Sequence, residues 1–266
     1  MTSTLAKICS AASACLIAGS AAAKVRMKDI EYKQGDTVLR GSLAWDDAVK
    51  GKRPGVLVIH EWWGLNEHAR AQAKRLAKVG YVAFALDMYG KGKVAAPTHP
   101  KDAMAFMQEA SRDPDVLTAR FDAAYRLLQE QPQVDPARIA AFGYCFGGGV
   151  ALNMARAGKD LAAVVTFHGS LKPYHGPAQP GTVKPPILVL TGADDPMINK
   201  EQVEGFEKEM KDAGANVKVV TYPGARHGFT NPDAGKAGME GLAYNAQADK
   251  ESWAAAMAFL KQVFGS

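Results

Sequence analysis

The stretch AAFGYCFGGGVALNMA, residues 140–155, contains a cysteine with glycines on both sides. The residues before Cys145 are apolar, as in a buried strand, and the residues after Gly147 are typical of a helix. Gly143-Tyr144-Cys145-Phe146-Gly147 therefore matches the strand–turn–helix motif G-x-S-x-G, with cysteine in place of serine. Because the two glycines lack a Cβ atom, strand and helix can approach closely around an exposed nucleophile. The stretch predicts a sharp turn that presents Cys145 at the rim of a sheet.

The predicted helix begins directly after Cys145, and this position has chemical consequences. The partial positive charge and free amide hydrogens of a helix N-terminus favour a thiolate over a thiol and stabilise a developing oxyanion. A lone cysteine in such a turn is more often a small apolar residue that fills a core. Whether Cys145 is a nucleophile therefore depends on an acid and a histidine placed to act with it.

Apolar runs alternate with segments of helical period along most of the chain. Buried strands are predicted at GVLVIH, YVAFALDMYG, RIAAFGY, LAAVVTFHG, PPILVLTG and VKVVTYPG. Upstream of them, IEYKQGDTVLRGSLAWDD alternates apolar and polar residues around a Gly-Asp turn, as an antiparallel hairpin does. The sequence predicts the α/β class, with an N-terminal hairpin and a mostly parallel central sheet covered by helices on both faces.

Polar residues follow two more of the predicted strands. Asp194 and Asp195 come just after PPILVLTG, and His227 comes just after VKVVTYPG. The carboxyl ends of parallel strands meet at one edge of a sheet, and the chain order cysteine, acid, histidine is typical of hydrolases with this architecture. We therefore predict that Cys145, Asp195 and His227 act together. Asp194 is the alternative acid, and Asp195 is preferred because it immediately precedes a proline at the turn.

Residues 1–23 have the composition of an export signal. Lys7 gives a weakly positive start, the following residues are apolar and small, and Ala21-Ala22-Ala23 offers a cleavage site. We therefore expect a signal peptide over 1–23, a single domain over 24–266, and a periplasmic or secreted protein. The alternative is an uncleaved N-terminal helix on a cytoplasmic protein. Cleavage would remove the other two cysteines and leave Cys145 without an intrachain disulfide partner.

The overall composition excludes several function classes. The 266 residues are 47% hydrophobic and carry a formal net charge of +5, with basic residues scattered among acidic ones. This pattern gives no support to nucleic-acid binding, and no segment of the mature chain is apolar for long enough to cross a bilayer. The spacing in HEWWGLNEH does not match the zinc motif H-E-x-x-H, so neither a metal nor another cofactor is expected.

Four motifs together, IHEWWGLNEHAR, GYCFGGGVA, TGADDPMI and ARHGF, resemble the dienelactone hydrolase family over about residues 28 to 264. The resemblance implies an α/β-hydrolase fold and hydrolysis of a small-molecule ester or lactone without a cofactor. It also implies a thioester intermediate formed by a Cys-His-Asp triad, whose positions here are Cys145, His227 and Asp195.

The resemblance implies roles for further residues. Glu61 is expected to help convert the thiol to a thiolate when substrate binds, and the backbone amides of Trp62 and Phe146 are expected to form an oxyanion hole. The candidate residues for lining the substrate pocket are Trp63, His168 and Tyr144.

The chain departs from the family pattern in the loop after the histidine. The best-known members bind the lactone carboxylate with arginines, one of them shortly after that histidine, whereas HGFTNPD has Thr230 and Asn231 there. This difference argues against dienelactone itself and leaves the natural substrate open, as the sequence also leaves the oligomeric state. The alternative function is a non-hydrolytic thiol that senses redox state or forms adducts on the same fold.

Overall fold

The computed structural model describes residues 24–265. Its strands are β1 (Val25–Gln34), β2 (Thr37–Asp46), β3 (Arg53–Ile59), β4 (Val82–Leu86), β5 (Val134–Tyr144), β6 (Ala163–Phe167), β7 (Ile187–Gly192) and β8 (Val217–Tyr222). Its helices are α1 (Glu67–Lys78), α2 (Pro100–Ser111), α3 (Pro114–Gln129), α4 (Phe146–Arg156), α5 (Lys200–Asp212) and α6 (Ala246–Phe264), with a 3-10 turn at Ala234–Ala237.

The strands form one eight-stranded sheet in the order β1-β2-β4-β3-β5-β6-β7-β8. The pairs β1–β2 and β2–β4 are antiparallel, and all other neighbouring pairs are parallel. The predicted fold class is confirmed, including the N-terminal hairpin. Strands β5, β6, β7 and β8 are consecutive neighbours, so their carboxyl ends form a continuous edge.

Two hydrophobic cores lie on opposite faces of the sheet. Alternate residues of β3 divide between them, with Leu57 and Ile59 in one core and Val56 and Val58 in the other. Helices α3, α4 and α5 cover the first face, and α1 and α6 cover the second. Because the central strands are buried on both faces, they appear in the sequence as continuous apolar runs rather than alternating ones.

The expected signal peptide, 1–23, lies outside the described residues. Within residues 24–265, no helix is both long enough and apolar enough to span a bilayer.

Candidate active site

Cys145 occupies the sharp turn between β5 and α4. Its backbone has φ 52° and ψ −114°, a left-handed conformation that is unusual for a residue other than glycine. A Cβ atom at Gly147 would lie 2.3 Å from the Ile59 carbonyl oxygen, and one at Gly143 would lie 2.2 Å from the Gly147 oxygen. Both neighbours are backbone atoms that cannot turn aside. The two glycines are therefore what allows the turn to hold the partly exposed Cys145 in this conformation.

His227 lies in the loop after β8 and is paired with Asp195. The glycines at 224 and 228 both have φ 72°, which gives this loop its tight path. Imidazole Nδ1 of His227 lies 2.8 Å from Oδ2 of Asp195. The other carboxylate oxygen of Asp195 accepts hydrogen bonds from the amides of Met197 and Ile198, which fix its orientation. Asp194 is exposed, so of the two candidate acids only Asp195 contacts the imidazole.

Cys145 also influences the imidazole of His227. Burial lowers the pKa of His227, but the charge of Cys145 and the carboxylate of Asp195 together raise it to about 10. Within residues 24–265, the buried Nε2 of His227 has no hydrogen-bond partner, so this nitrogen is left for another group. The influence of the sulfur and the contact with the carboxylate therefore both favour the charged form of the His227 imidazole.

The amides of Trp62 and Phe146 are available to an oxyanion. Trp62 follows the end of β3, and Phe146 is the first residue of α4. In the described part of the chain neither N–H donates a hydrogen bond to another residue. The amide of Gly147 donates to the His60 carbonyl at 3.1 Å, which holds the two segments together.

Glu61 is buried and faces the loop that follows His227. Its Oε2 atom accepts a hydrogen bond from Nδ2 of Asn231 at 2.6 Å and lies 3.5 Å from Nδ1 of His68. Sequence reasoning singled out neither His68 nor Asn231 for this contact. The sequence hinted at these two residues only through their positions, because His68 lies soon after Glu61 and Asn231 lies soon after His227.

The three candidate pocket residues have different placements. Trp63 is buried and packs on Trp62, with ring centroids 4.7 Å apart. Tyr144 is also buried, and its ring stacks on Phe167 at 4.6 Å within the core. Of the three, His168 alone packs against the imidazole of His227, with ring centroids 5.2 Å apart.

His168 is held as a neutral ring beneath that imidazole. Its backbone has φ 42°, and its Nε2 lies 2.9 Å from the hydroxyl oxygen of Thr230. Burial lowers the pKa of His168 well below its ordinary value, and the nearby His227 adds to the effect. A second positive charge is therefore disfavoured beside the imidazolium.

Two tyrosines missed in the sequence also lie close to the sulfur. Burial raises the pKa of Tyr89 well above its ordinary value, and the Cys145 thiolate adds to this shift. Burial and the same thiolate also raise the pKa of Tyr174. Nothing in the local sequence distinguishes these tyrosines from core residues, because their closeness to Cys145 depends on the paths of two long connections.

A shallow groove of about 380 Å³ begins at Trp62. Its other walls come from α2 and from the segment that follows Ala234–Ala237, and they include Pro100, Lys101, Met104 and Met239. The groove is mainly apolar, with one lysine.

Comparison with known proteins shows the family of this chain. The sequence model of the dienelactone hydrolase family matches residues 39–264. The chain belongs to the dienelactone hydrolase family. An Aquifex aeolicus protein provisionally named carboxymethylenebutenolidase is 30% identical over 207 residues, which cover 76% of this chain and 86% of the relative.

Two solved structures of the same family type are also similar. The structure named m3DLH has a TM-score of 0.83 and 38% identity, and the match covers 90% of this chain and 98% of that one. A dienelactone hydrolase-like promiscuous phosphotriesterase, P91, from metagenomic libraries has a TM-score of 0.82 and 35% identity with the same coverage. The chain is thus a dienelactone hydrolase-like hydrolase that acts on ester or lactone bonds of a small-molecule substrate.

Proposed function

We propose that this hydrolase works by nucleophilic catalysis at Cys145, with His227 as proton carrier and Asp195 as its orienting carboxylate. The observation that carries the proposal is the buried His227 imidazole: Asp195 lies on Nδ1, Nε2 has no partner within residues 24–265, and Cys145 as well as Asp195 raises its pKa. An orienting acid, a base and a nucleophile in this arrangement are the parts that acyl transfer requires.

The proposed reaction has two acyl-transfer steps. The Cys145 thiolate attacks the substrate carbonyl carbon, and the amides of Trp62 and Phe146 hold the oxyanion that forms. The C–O bond then breaks, the imidazolium of His227 gives its proton to the leaving alkoxide, and a thioester remains. Water, deprotonated by the now neutral imidazole, attacks the thioester, and the second tetrahedral intermediate expels the thiolate beside a renewed imidazolium.

Glu61 is proposed to supply the carboxylate that helps remove the thiol proton when substrate binds. Its burial and its contacts with Asn231 and His68 support this role, because a carboxylate held by a side-chain amide and an imidazole responds to small movements of the loop after His227. Substrate entering beside that loop would therefore change the surroundings of Glu61 directly.

The surroundings of the sulfur favour a neutral substrate. The guanidinium of Arg226 donates to the carbonyl of Glu240 at 2.9 Å on the exposed side of the loop. The amide of Asn231 is engaged by Glu61. The groove that begins at Trp62, whose amide is a proposed oxyanion donor, is mainly apolar. We therefore propose uncharged esters or lactones with an apolar group, rather than a carboxylate-bearing lactone, as the substrate class.

The test is turnover of activated aryl esters by wild type, Cys145→Ser and Cys145→Ala. We expect Cys145→Ala to retain less than about one-thousandth of wild-type kcat. Rapid quenching of wild type with an aryl acetate should give a protein mass larger by one acetyl group. Wild-type rates in Cys145→Ala would exclude the nucleophile, and adducts on Cys145 without turnover of any ester would favour the redox or adduct-forming alternative.

A second candidate activity is hydrolysis of phosphotriesters. It is favoured by the 35% identity and 0.82 TM-score to the phosphotriesterase P91. The same thiolate and amide donors are suited to a phosphorus centre with a negatively charged oxygen. Hydrolysis of a dialkyl aryl phosphate that disappears in Cys145→Ala would support it, and a rate unaffected by this substitution would exclude it.

Export is proposed on the composition of residues 1–23 alone. Expression of the full chain should yield a periplasmic protein whose N-terminus, on Edman sequencing, begins near Lys24. An intact N-terminus in the cytoplasmic fraction would contradict the proposal.

A further inference from the structure

We propose that His60 and Tyr89 are positioning residues that aim the amide of Trp62 at the oxyanion. The inference rests on the proposed acyl-transfer function and adds two side chains that do not themselves touch the reacting atoms.

The imidazole of His60 is fully buried and has a partner at each nitrogen. Nδ1 lies 2.5 Å from the carbonyl oxygen of Glu61, and Nε2 lies 3.1 Å from the amide nitrogen of Met88. A carbonyl only accepts and an amide only donates, so Nδ1 carries the proton and Nε2 carries the lone pair. The ring is therefore neutral, and its orientation is fixed by the end of β4.

The bond from His60, with a longer one of 3.4 Å from the Gly64 amide to the same Glu61 carbonyl, determines where the amide of Trp62 points. The Glu61 carbonyl and the Trp62 N–H belong to one planar peptide group and point in opposite directions. Holding the carbonyl oxygen against Nδ1 of His60 therefore holds the N–H on the far side of that plane. This N–H donates to no other residue within 24–265, so its direction is left for a ligand.

Tyr89 fixes the next peptide group. Its hydroxyl donates to the carbonyl oxygen of Trp62 at 3.1 Å. Tyr89 is itself anchored, because its amide donates to the carboxylate of Asp87 at 2.8 Å. The peptide groups on both sides of the Trp62 Cα atom are thus held by buried side chains, which restricts rotation of the donor.

The same two rings also contact the residue that supplies the other proposed donor. His60 and Tyr89 pack edge to face at 4.7 Å, and Phe146 lies 6.0 Å from His60 and 5.4 Å from Tyr89 between ring centroids. This aromatic cluster links the backbone at Trp62 with the start of α4. A change in either ring is expected to alter the spacing of the two amides.

Tyr89→Phe is the decisive variant, since it removes the hydroxyl and keeps the ring. We expect kcat for an activated ester to fall about tenfold with little change in KM, because a misdirected donor is lost mainly from the transition state. Alkylation of Cys145 by iodoacetamide forms no tetrahedral oxyanion, so its rate should equal that of wild type. The matched control is Tyr125→Phe, which removes another hydroxyl that donates to a carbonyl, that of Asp160 at 2.7 Å, and should leave both rates unchanged.

His60→Phe removes both of the imidazole hydrogen bonds and is expected to lower kcat about a hundredfold, again without slowing alkylation. If this variant fails to fold, Tyr89→Phe still decides the question. Wild-type kcat in Tyr89→Phe, or equal losses of turnover and alkylation, would overturn the positioning role. Activity retained by Cys145→Ala would instead show that the proposed function is wrong.

Discussion

Nδ1 of His227 lies 2.8 Å from Oδ2 of Asp195, and the two side chains are 5% and 0% exposed. Each residue follows a different parallel strand, β7 for Asp195 and β8 for His227, and these strands are neighbours in the sheet. The contact therefore depends on strand register rather than on local sequence. Exclusion from water makes the carboxylate an effective partner for a charged imidazole.

Removing the charge of Asp195 should affect kcat far more than removing the charge of Asp194. We expect Asp195→Asn to lower kcat about a thousandfold, because an amide no longer stabilises the imidazolium. Asp194→Asn is the matched control and should stay within about twofold of wild type, as expected for an exposed side chain. Equal losses in the two variants, measured with one aryl ester, would remove the distinction drawn from the structure.

The charge of His227 should depend on the sulfur. In wild type, its imidazole should titrate near the pKa of about 10 raised by the thiolate and Asp195 against the effect of burial. In Cys145→Ala the sulfur no longer raises the pKa of His227, while burial still lowers it. The pKa of His227 should therefore be lower than in wild type. Two-dimensional NMR of imidazole-labelled protein measures both values, and identical titrations would contradict the influence of Cys145 on His227.

The raised pKa also predicts how stability depends on pH. A folded-state pKa above the unfolded value means that the stabilisation is fully present below the unfolded value, about 6.5. It is lost as pH rises towards and through about 10. Denaturant titrations should therefore show the wild-type advantage over His227→Ala shrinking between these pH values.

Gly147→Ala should be strongly destabilising. The added methyl group would lie 2.3 Å from the Ile59 carbonyl oxygen, and the backbone on both sides is packed. Overpacking of this kind costs about 3 kcal/mol of unfolding free energy. Gly205→Ala, in exposed helix α5 with no atom within 4 Å, should instead stabilise by about 0.5 kcal/mol or more. Urea unfolding of both variants measures the contrast, and a stable Gly147→Ala would show that the contact can relax.

Glu61→Gln tests the proposed proton-removing carboxylate while preserving its shape. Asn231 can still donate to the glutamine oxygen, so thermal stability should change little. We expect kcat/KM to fall about a hundredfold, the usual size of a lost general base. The control is Glu67→Gln, a change to the exposed first turn of α1, which should have wild-type kinetics. Unchanged turnover in Glu61→Gln would assign the carboxylate a purely structural role.

Two aryl esters that differ in charge should show whether the enzyme prefers a neutral or an anionic substrate. We expect kcat/KM for an aryl butyrate to exceed that for the aryl hemisuccinate by about tenfold, because an unpaired carboxylate is poorly solvated beside apolar walls. Adding salt should not remove the difference. Preference for the anionic ester would point instead to Lys101 at the rim of the groove.

The sequence allowed most of the fold to be predicted, because parallel strands buried on both faces appear as unbroken apolar runs. Cys145 and His227 were recognisable because they follow such runs directly. Asp195 was separable from Asp194 only by its place before Pro196. The roles of His60, Tyr89, His68 and Asn231 were not predictable, since each depends on hydrogen bonds between segments far apart in the chain.

The proposed chemistry is carried by the ends of strands and the first turn of α4, whereas the groove at Trp62 is walled by two surface connections, one that includes α2 at residues 100–108 and one at Met239. Surface connections tolerate insertion and replacement much better than the strands they join. Residues that set substrate preference can therefore be replaced while the residues that carry out turnover are kept. Directed evolution toward new esters should concentrate its libraries on those two connections.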